Sequence, residues 1–246
     1  DGLRKLAAGS KGGETERLHL VSLTVAQRLL GGSTLDTQMA GIDMIASLFE
    51  YDSDLEPQTV KEWMERNEIF RKVFHQNLHH SEYMKRTRQL VSNMARSRQL
   101  NTTELDTMWE ASLGEGKNDA VVSNVHALLS DMSVSLPAGH LDYLFQRFEA
   151  ELARPEIDQV SVQRILNLAK DLASQGRTQI PLVTKTLELF WKLTQDDASV
   201  PMATRALAVD LHGELLVKMS SSSLQLRDGY VTRCIEAIQA DASPVS

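Results

Sequence analysis

Short amphipathic helices repeat along almost the whole chain, and this rhythm constrains the fold more than any other feature. Apolar residues recur at three- and four-residue intervals, the spacing of a helix that packs on one side. Alternating runs rich in Val, Ile and Thr, which would predict β-strands, are missing from the sequence. From Ser81 onward the predicted helices fall into pairs, over residues 81–113, 117–152, 158–194 and 199–240. The spacing of roughly 40 residues is close to that of armadillo and HEAT repeats.

This rhythm predicts an all-α fold, an armadillo- or HEAT-like α-solenoid of about eleven helices. A helical pair of this size cannot bury its apolar face alone, so the stacking of neighbouring pairs has to supply the core. We expect a flexible lead-in over 1–13, a single solenoid domain over 14–240 and a frayed tail over 241–246.

Individual residues predict where several helices begin and end. Gly31 and Gly32 are expected to stop the first helix, because glycine accepts a left-handed stop conformation. Asn67 is expected to cap a short helix that follows it, and Asn101 or Thr102 to cap a later one.

Charge and cysteine content exclude several classes of protein. The chain has 26 Lys and Arg against 33 Asp and Glu, a formal net charge of −7, and this balance argues against general binding of a nucleic-acid backbone. The single cysteine, Cys234, excludes an internal disulfide framework and a cysteine-rich zinc site, and indicates a reducing compartment. No apolar run reaches the roughly 18 residues that a membrane helix needs, and the first residues lack the apolar core of a signal peptide. We therefore expect a cytoplasmic protein with neither a nucleic-acid nor a membrane partner.

Three histidines, His75, His79 and His80, form the densest histidine group. On a continuous helix His75 and His79 would share a face and could bind zinc. However, the residues between them lack the glutamate of a zinc protease motif, and the polar run up to Ser81 indicates that a helix ends here. We favour a role at a helix C-terminus, where the helix dipole stabilises a histidine, or on the surface, and we assign no metal site.

A basic stretch runs from Lys61 to Arg98, where nine Lys and Arg stand against four Glu, a local balance of +5. Residues 99–160 carry eleven acids against three bases, a balance of −8. This asymmetry could steer an acidic partner or an adjacent acidic domain. The interpretation we favour is that these charges lie on solvated outer faces of helices, with arginine stems covering apolar surface.

The remaining candidate residues indicate structure rather than catalysis. Trp63, Trp109 and Trp191 occupy apolar helical positions and are predicted to anchor the core. Cys234 lies beside Val231, Ile235 and Ile238 in a predicted inward face of the last helix, where a cysteine is usually an inert small hydrophobe. The sequence has no GxGxxG, Walker, GxSxG or HExxH motif and no DxDxDG loop. We therefore assign no catalytic residue and no cofactor.

Two stretches carry a resemblance to a known family. They are TRQLVSNMARSRQLNTTELDTMWEAS, at 87–112, and LELFWKLTQDDASVP, at 187–201. Together with the sequence between and around them, over about residues 60–217, they look like part of the helical region of fat facets-type ubiquitin-specific proteases.

The resemblance implies a segment of a large cytosolic deubiquitinase, in which armadillo-like regions flank a cysteine protease domain. The context of Cys234, GYVTRCIEAI, is unlike the nucleophile box of that family, so no catalytic residue is carried over. The implied role is a non-catalytic scaffold that positions substrates or partners, namely ubiquitinated proteins or the parent enzyme's own catalytic domain. The missing initial Met agrees with a segment of a longer protein.

Two alternatives stay open from the sequence. One is an interaction solenoid of an unrelated cytosolic protein with no link to ubiquitin. The other is a small helical hydrolase that uses His75, His79 or Cys234.

Overall fold

The structure is a computed structural model that describes residues 12–50, 55–113, 118–175, 180–195, 200–219 and 224–241. Within these ranges the chain forms twelve α-helices and no β-strand, which confirms the all-α prediction. Residues 1–11 of the predicted lead-in and 242–246 of the predicted tail lie outside the described residues. The helices are α1 (Gly12–Leu30), α2 (Leu35–Ser47), α3 (Pro57–Arg66), α4 (Ile69–Val73), α5 (Ser81–Arg96), α6 (Thr102–Ser112), α7 (Asp119–Ser133), α8 (Ala138–Leu152), α9 (Gln159–Gln175), α10 (Ile180–Thr194), α11 (Met202–Lys218) and α12 (Leu224–Asp241).

The first of two compact units, Asp1–Ser135, contains α1 to α7. Here α1 packs on α2, α2 packs on α5, and both α5 and α6 contact α7. Gly41 permits the close approach of α1 and α2, since a Cβ at this position would lie 2.5 Å from the backbone nitrogen of Leu30. Tyr83 and Trp109 are among the largest side chains in the core of this unit.

The second unit, Leu136–Ser246, contains α8 to α12. In it α9, α10 and α11 pack on one another, and α8 contacts α9 and α10. Phe148 and Phe190 are fully buried in its core, and Tyr230 is the buried side chain of α12. Each unit has its own apolar core, and the single domain expected over 14–240 stays a prediction.

Ion pairs within each unit connect residues about one repeat apart. Their sequence separations are 43 to 45 residues, within the range of armadillo and HEAT repeats. They are Lys61–Glu104, Arg86–Asp43 and Arg88–Asp131 in the first unit, and Lys185–Asp142, Lys192–Glu149, Lys170–Glu214 and Arg233–Glu188 in the second.

Two of these pairs show how neighbouring repeats are oriented. Lys185–Asp142 and Lys192–Glu149 both join α10 to α8 with the same offset of 43 residues. Because the offset does not change over seven residues, α8 and α10 run in the same direction. The predicted pairing of helices at roughly 40 residues is thereby sharpened to a period of 43 to 45.

Two polar side chains connect residues at a similar spacing, 46 and 47 residues, in the first unit. The Asn93 side chain on α5 donates a 2.9 Å hydrogen bond to the carbonyl of Ala46, near the end of α2. The Asn124 side chain on α7 donates a 2.7 Å bond to the carbonyl of Leu78. The Asn93 amide adds a second donor to the Ala46 carbonyl, which also accepts from the backbone N–H of Phe49 at 3.2 Å. The Asn124 amide binds a carbonyl that lies in a turn.

The predicted helix ends are confirmed in part. The chain leaves α1 at Gly31, although neither Gly31 nor Gly32 is left-handed, and Gly32 is needed because a Cβ there would collide with Thr37. Asn101 caps α6, with Glu104 completing a capping box. The prediction for Asn67 is wrong: it ends α3, where its side chain donates to the carbonyl of Trp63 at 2.9 Å.

The inward face predicted for the last helix is also wrong. Val231, Ile235 and Ile238 are 42%, 50% and 68% exposed, whereas Tyr230 is buried and Cys234 is half-buried. Residues 230 and 234 are one turn apart and share a face, and the three aliphatic residues form a neighbouring, more exposed side of the helix. The helix has two apolar faces, and the aromatic one packs inward.

Candidate functional site

The basic stretch forms a pocket in the first unit. The pocket has a volume of about 390 Å³ and lies between the end of α1, the start of α2, the helix α4 and the turn that follows it. On α4 the apolar residues form one face, which is buried. The other face carries charged residues that line the pocket together with neighbouring polar groups. The lining residues are Leu30, Gly31, Gly32, Gln38, Glu68, Arg71, Lys72, His75, Gln76 and Tyr83.

Helical spacing explains why these charges meet. Glu68, Arg71, Lys72 and His75 are separated by three, four and seven residues, so they project from one side of α4 and its ends. The Lys72 ammonium donates to the carbonyl of Asn67 at 2.8 Å. A guanidinium nitrogen of Arg71 lies 3.8 Å from the Glu68 carboxylate, with both side chains well exposed.

Left-handed backbone frames this pocket. Glu68 has φ 51° and Asn77 has φ 60°, and both are non-glycine residues. Such conformations are uncommon and recur at functional sites. The Asn77 side chain is held by a 2.5 Å hydrogen bond to Gln38.

Tyr83 closes the floor of the pocket from α5. Its hydroxyl donates to the carbonyl of Val73 at 3.0 Å. Burial raises the pKa of Tyr83 to about 12, so the phenol stays neutral at physiological pH. Tyr83 is therefore a positioning group and not a source of charge.

A second pocket, of about 600 Å³, lies in the second unit and is mostly apolar. Its walls come from the ends of α8 and α10, the turn after α8 and the start of α11. The Glu149–Lys192 ion pair, with a distance of 2.7 Å, stands at its rim. Its volume is in the range that holds a small molecule or a few peptide side chains. The apolar lining residues include Leu152, Ile157, Leu189, Leu193, Val200 and Pro201.

An aromatic and charged cluster anchors α12 in the second unit. The ring of Tyr230 meets those of His212 and Trp191 edge-on, with centroids 5.5 and 6.4 Å away. The guanidinium of Arg233 lies 5.2 Å from the Tyr230 ring centroid and also binds Glu188 at 3.2 Å. Sequence reasoning missed this cluster, since its five members come from three helices.

The pKa values of the titratable groups in this cluster are shifted in opposite directions. Burial, followed by the Glu188 carboxylate, raises the pKa of Tyr230 above its usual range. The Tyr230 hydroxyl, followed by Arg233, lowers the pKa of the Glu188 carboxyl. Burial alone lowers the pKa of His212, which favours a neutral imidazole.

Comparison with known proteins decides the family. A family model described as "UBP24/USP9X/USP9Y ARM repeat" matches residues 21–245. The chain belongs to this armadillo-repeat family.

Its relatives in the family are named as ubiquitin hydrolases. It is 27% identical over 229 residues to ubiquitin carboxyl-terminal hydrolase 9Y of Homo sapiens, and equally to the 9X protein of Mus musculus; each match covers 87% of this chain and 9% of the relative. A match to the probable ubiquitin carboxyl-terminal hydrolase FAF of Drosophila melanogaster is 26% identical over 183 residues and covers 73% of this chain and 6% of that protein. The chain thus spans less than a tenth of the length of these relatives. The resemblance to fat facets-type proteases is confirmed.

The histidine group of this armadillo-repeat segment does not lie on one helix. The helix α4 ends at Val73, and His75 and His79 fall in turns on either side of the left-handed Asn77. The shared face that zinc binding would require is therefore not formed. The predicted helix end is confirmed for His75, but His80 lies at the N-cap of α5 and not at a C-terminus. In the part of the chain that the structure describes, no group of three His, Cys, Asp or Glu could hold a metal ion.

The preferred interpretation of the basic stretch is correct for some residues and wrong for one. Arg86 and Arg88 lie at the surface and pair with acids one repeat away. Lys61, by contrast, is only 4% exposed and binds the buried Glu104. The burial of Lys61 depends on residues of other helices, so its own neighbours in the sequence do not indicate it.

The tryptophans and the cysteine of the segment have different surroundings. Trp63 and Trp109 are buried, as predicted, whereas Trp191 is half-buried and belongs to the aromatic cluster. Cys234 lies half-buried on α12, one turn from Tyr230. Among the described helices, none is long and apolar enough to cross a membrane.

Proposed function

We propose that this chain is a non-catalytic, protein-binding scaffold segment of a large cytoplasmic cysteine deubiquitinase. It positions ubiquitinated substrates, or the catalytic domain of the same enzyme, for removal of ubiquitin. The observation that carries the proposal is membership of an armadillo-repeat family whose matching relatives are named ubiquitin carboxyl-terminal hydrolases.

The ion pairs and open pockets of the segment support a binding role. Charged groups on successive repeats are largely used to hold the repeats in register. Two concave features stay open in the part of the chain that the structure describes, a basic pocket and an apolar one. Armadillo-type repeats are well suited to binding proteins, because successive helices present an extended surface.

The first test asks whether the chain itself is catalytic. The purified 246-residue chain is incubated with ubiquitin carrying a fluorogenic group at its C-terminus, alongside the variant Cys234→Ser. We expect no release of fluorophore above the buffer rate from either protein. Release by the original chain that disappears in Cys234→Ser would overturn the non-catalytic role.

The second test asks whether the segment positions substrates. In the full-length protein, Leu193→Glu places a charge in the apolar pocket, and Val209→Glu places the same charge on an exposed site of the same unit. We expect Leu193→Glu to slow cleavage of a ubiquitinated protein substrate by about tenfold or more, as the loss of an interface hot spot does. Cleavage of the small fluorogenic ubiquitin should be unchanged, and Val209→Glu should resemble the original protein.

Two results would contradict substrate positioning. Equal loss of both activities would place the effect in the catalytic domain or in folding, and circular dichroism of both variants separates these. Unchanged cleavage of the protein substrate, with partner binding that ignores ubiquitin, would favour an interaction role with no link to ubiquitin.

A further inference from the structure

The basic pocket of the first unit has a role that the family relationship does not supply. We propose that it binds an acidic peptide segment of a partner protein, with Arg71 and Lys72 as the groups that contact its carboxylates. The inference deepens the proposed function and rests on its premise that the segment binds proteins.

The helix α4 has one buried apolar face and one charged face. One face of this helix, with Ile69, Phe70 and Val73, is buried and fixes its position. The other face points Arg71 and Lys72 into a concave site of about 390 Å³. A chain with a net charge of −7 thus places two cations side by side in one of its pockets.

Arg71 and Lys72 do not take part in the described ion pairs between repeats. Lys61, Arg86 and Arg88 of the same basic stretch each bind an acid about one repeat away. Arg71 instead pairs, among the described residues, with a local carboxylate, that of Glu68, at a long 3.8 Å and in solvent. Such an exposed pair contributes little to stability. An incoming carboxylate can therefore replace Glu68 without disturbing the fold.

The side chains that line the pocket favour a ligand with carboxylate groups. Arginine pairs with carboxylates through two parallel hydrogen bonds, and lysine adds a point charge. Beside these cations the pocket offers the amide of Gln76, which suits a peptide backbone, and the apolar side chain of Leu30. A nucleic acid or an anionic membrane would select a wider basic face, and here Glu68 stands at the rim. An acidic peptide with an apolar residue beside its carboxylates fits the lining best.

Two residues with left-handed backbone conformations flank the pocket. Glu68 and Asn77 bracket α4 and the turn that carries His75. A left-handed backbone is unfavourable for such a residue unless its surroundings hold it. Hydrogen bonds hold both sides of the pocket: Lys72 donates to Asn67, and the Asn77 amide donates to Gln38. The lining is thus positioned before any ligand arrives.

The experiment measures fluorescence anisotropy of a labelled peptide, Asp-Glu-Leu-Glu-Asp-Glu, titrated with the intact 246-residue chain. A matched peptide replaces each acid with its amide. We expect saturable binding of the acidic peptide, weakened by added salt, and no binding of the amide peptide. No change in anisotropy at protein concentrations up to about 1 mM, which corresponds to about −4.1 kcal/mol, would overturn the proposal.

Variants of the same basic stretch supply the control. Arg71→Glu with Lys72→Glu should weaken the acidic peptide by about tenfold or more, because two attractive contacts become repulsive. Lys85→Glu with Arg96→Glu changes the net charge equally at exposed sites of α5 outside the pocket, and should change affinity by less than about twofold. Equal loss of peptide affinity in both double variants would show that net charge alone causes binding, and would overturn the proposed site. Circular dichroism confirms that each variant is folded.

Competition distinguishes the ligand classes. Inorganic phosphate, a single-stranded oligonucleotide and phosphatidylserine vesicles are each added to the peptide complex. Displacement by any of them at a lower concentration than the unlabelled acidic peptide would overturn the assignment to a peptide. Loss of peptide binding in the pocket variant, with substrate cleavage by the full-length enzyme unchanged, would separate this site from substrate positioning. Intact peptide binding with a failed cleavage test would contradict only the proposed function.

Discussion

Both compact units contain ion pairs between residues about one repeat apart, but the burial of these pairs differs. In the first unit Lys61 and Glu104 are both nearly inaccessible, and Glu104 also completes the capping box of α6. In the second unit the described pairs, such as Lys192–Glu149, lie at the surface. The last helix there is held by the buried side chain of Tyr230 together with the exposed Arg233–Glu188 pair. Sequence offset alone therefore does not reveal which contacts are energetically important, because burial decides this.

Breaking the buried pair should have the largest effect. Glu104→Gln leaves the buried Lys61 ammonium with only the half-exposed Glu65 carboxylate, 3.2 Å away, as counter-charge. It should lower the free energy of unfolding by about 3–4 kcal/mol, the low end of the range for a broken buried pair. Urea unfolding followed by circular dichroism measures it. The matched exposed change, Glu149→Gln, should lower stability by at most about 1 kcal/mol. Equal effects of the two variants would show that burial does not separate the units.

Removing the aromatic anchor of the last helix should have the next largest effect. Tyr230→Ala deletes a buried ring and its contacts with Trp191 and His212, with an expected loss of about 3 kcal/mol. We expect amide hydrogen exchange to accelerate over 224–241 much more than in α8. The control Val231→Ala, which truncates an exposed neighbour, should leave exchange almost unchanged. Uniform acceleration across the second unit would contradict a local anchor.

Filling the close contact in the first unit should have a smaller effect. Gly41→Ala forces a methyl group against the backbone of Leu30 and should destabilise the unit by about 1–3 kcal/mol, as overpacking does. Gly213→Ala is the matched change in an open part of α11. There we expect a stabilisation of about 0.5–1 kcal/mol, since alanine loses less backbone freedom than glycine in a helix. Opposite signs in a thermal melt would confirm the difference, and equal signs would contradict it.

The smallest effect should be a dependence on pH that belongs to the second unit. The folded state holds the pKa of His212 below its ordinary value of 6.5, so the unfolded state binds more protons near that pH. Stability is therefore fully present above pH 6.5 and decreases as the pH falls through 6.5 towards the folded pKa. Replacing His212 by Phe should flatten the urea midpoint between pH 7.5 and 5.5. An unchanged slope would show that other groups cause the pH dependence.

The helices and their spacing could be predicted because apolar periodicity and capping residues record them locally. Asn101 and the glycines after α1 are examples in which a single residue type marks a boundary. The inward face of α12 could not be predicted, since Tyr230 and the aliphatic stripe are both apolar and only the partner helix decides between them. The burial of Lys61 is set by Glu104, which lies 43 residues away.

The candidate pocket was visible in the sequence only as an excess of positive charge. Helical spacing also indicates that Arg71 and Lys72 lie away from the buried face of α4. The contributions of Leu30 and Tyr83 come from other helices, which the chain brings together only on folding. The left-handed Glu68 and Asn77 carry no strong signal either, because neither position is a glycine.

The constant offset of the ion pairs also bears on how such a chain responds to force. Each pair closes a loop of about the same length, so the entropy of closing it is nearly the same from one repeat to the next. Contacts of this range favour folding that spreads from any point to its neighbours and does not depend on the distant end. Pulled from its ends, such an array would lengthen in steps of about one repeat. A repeat held by a buried pair such as Lys61–Glu104 would yield later than one held by surface pairs.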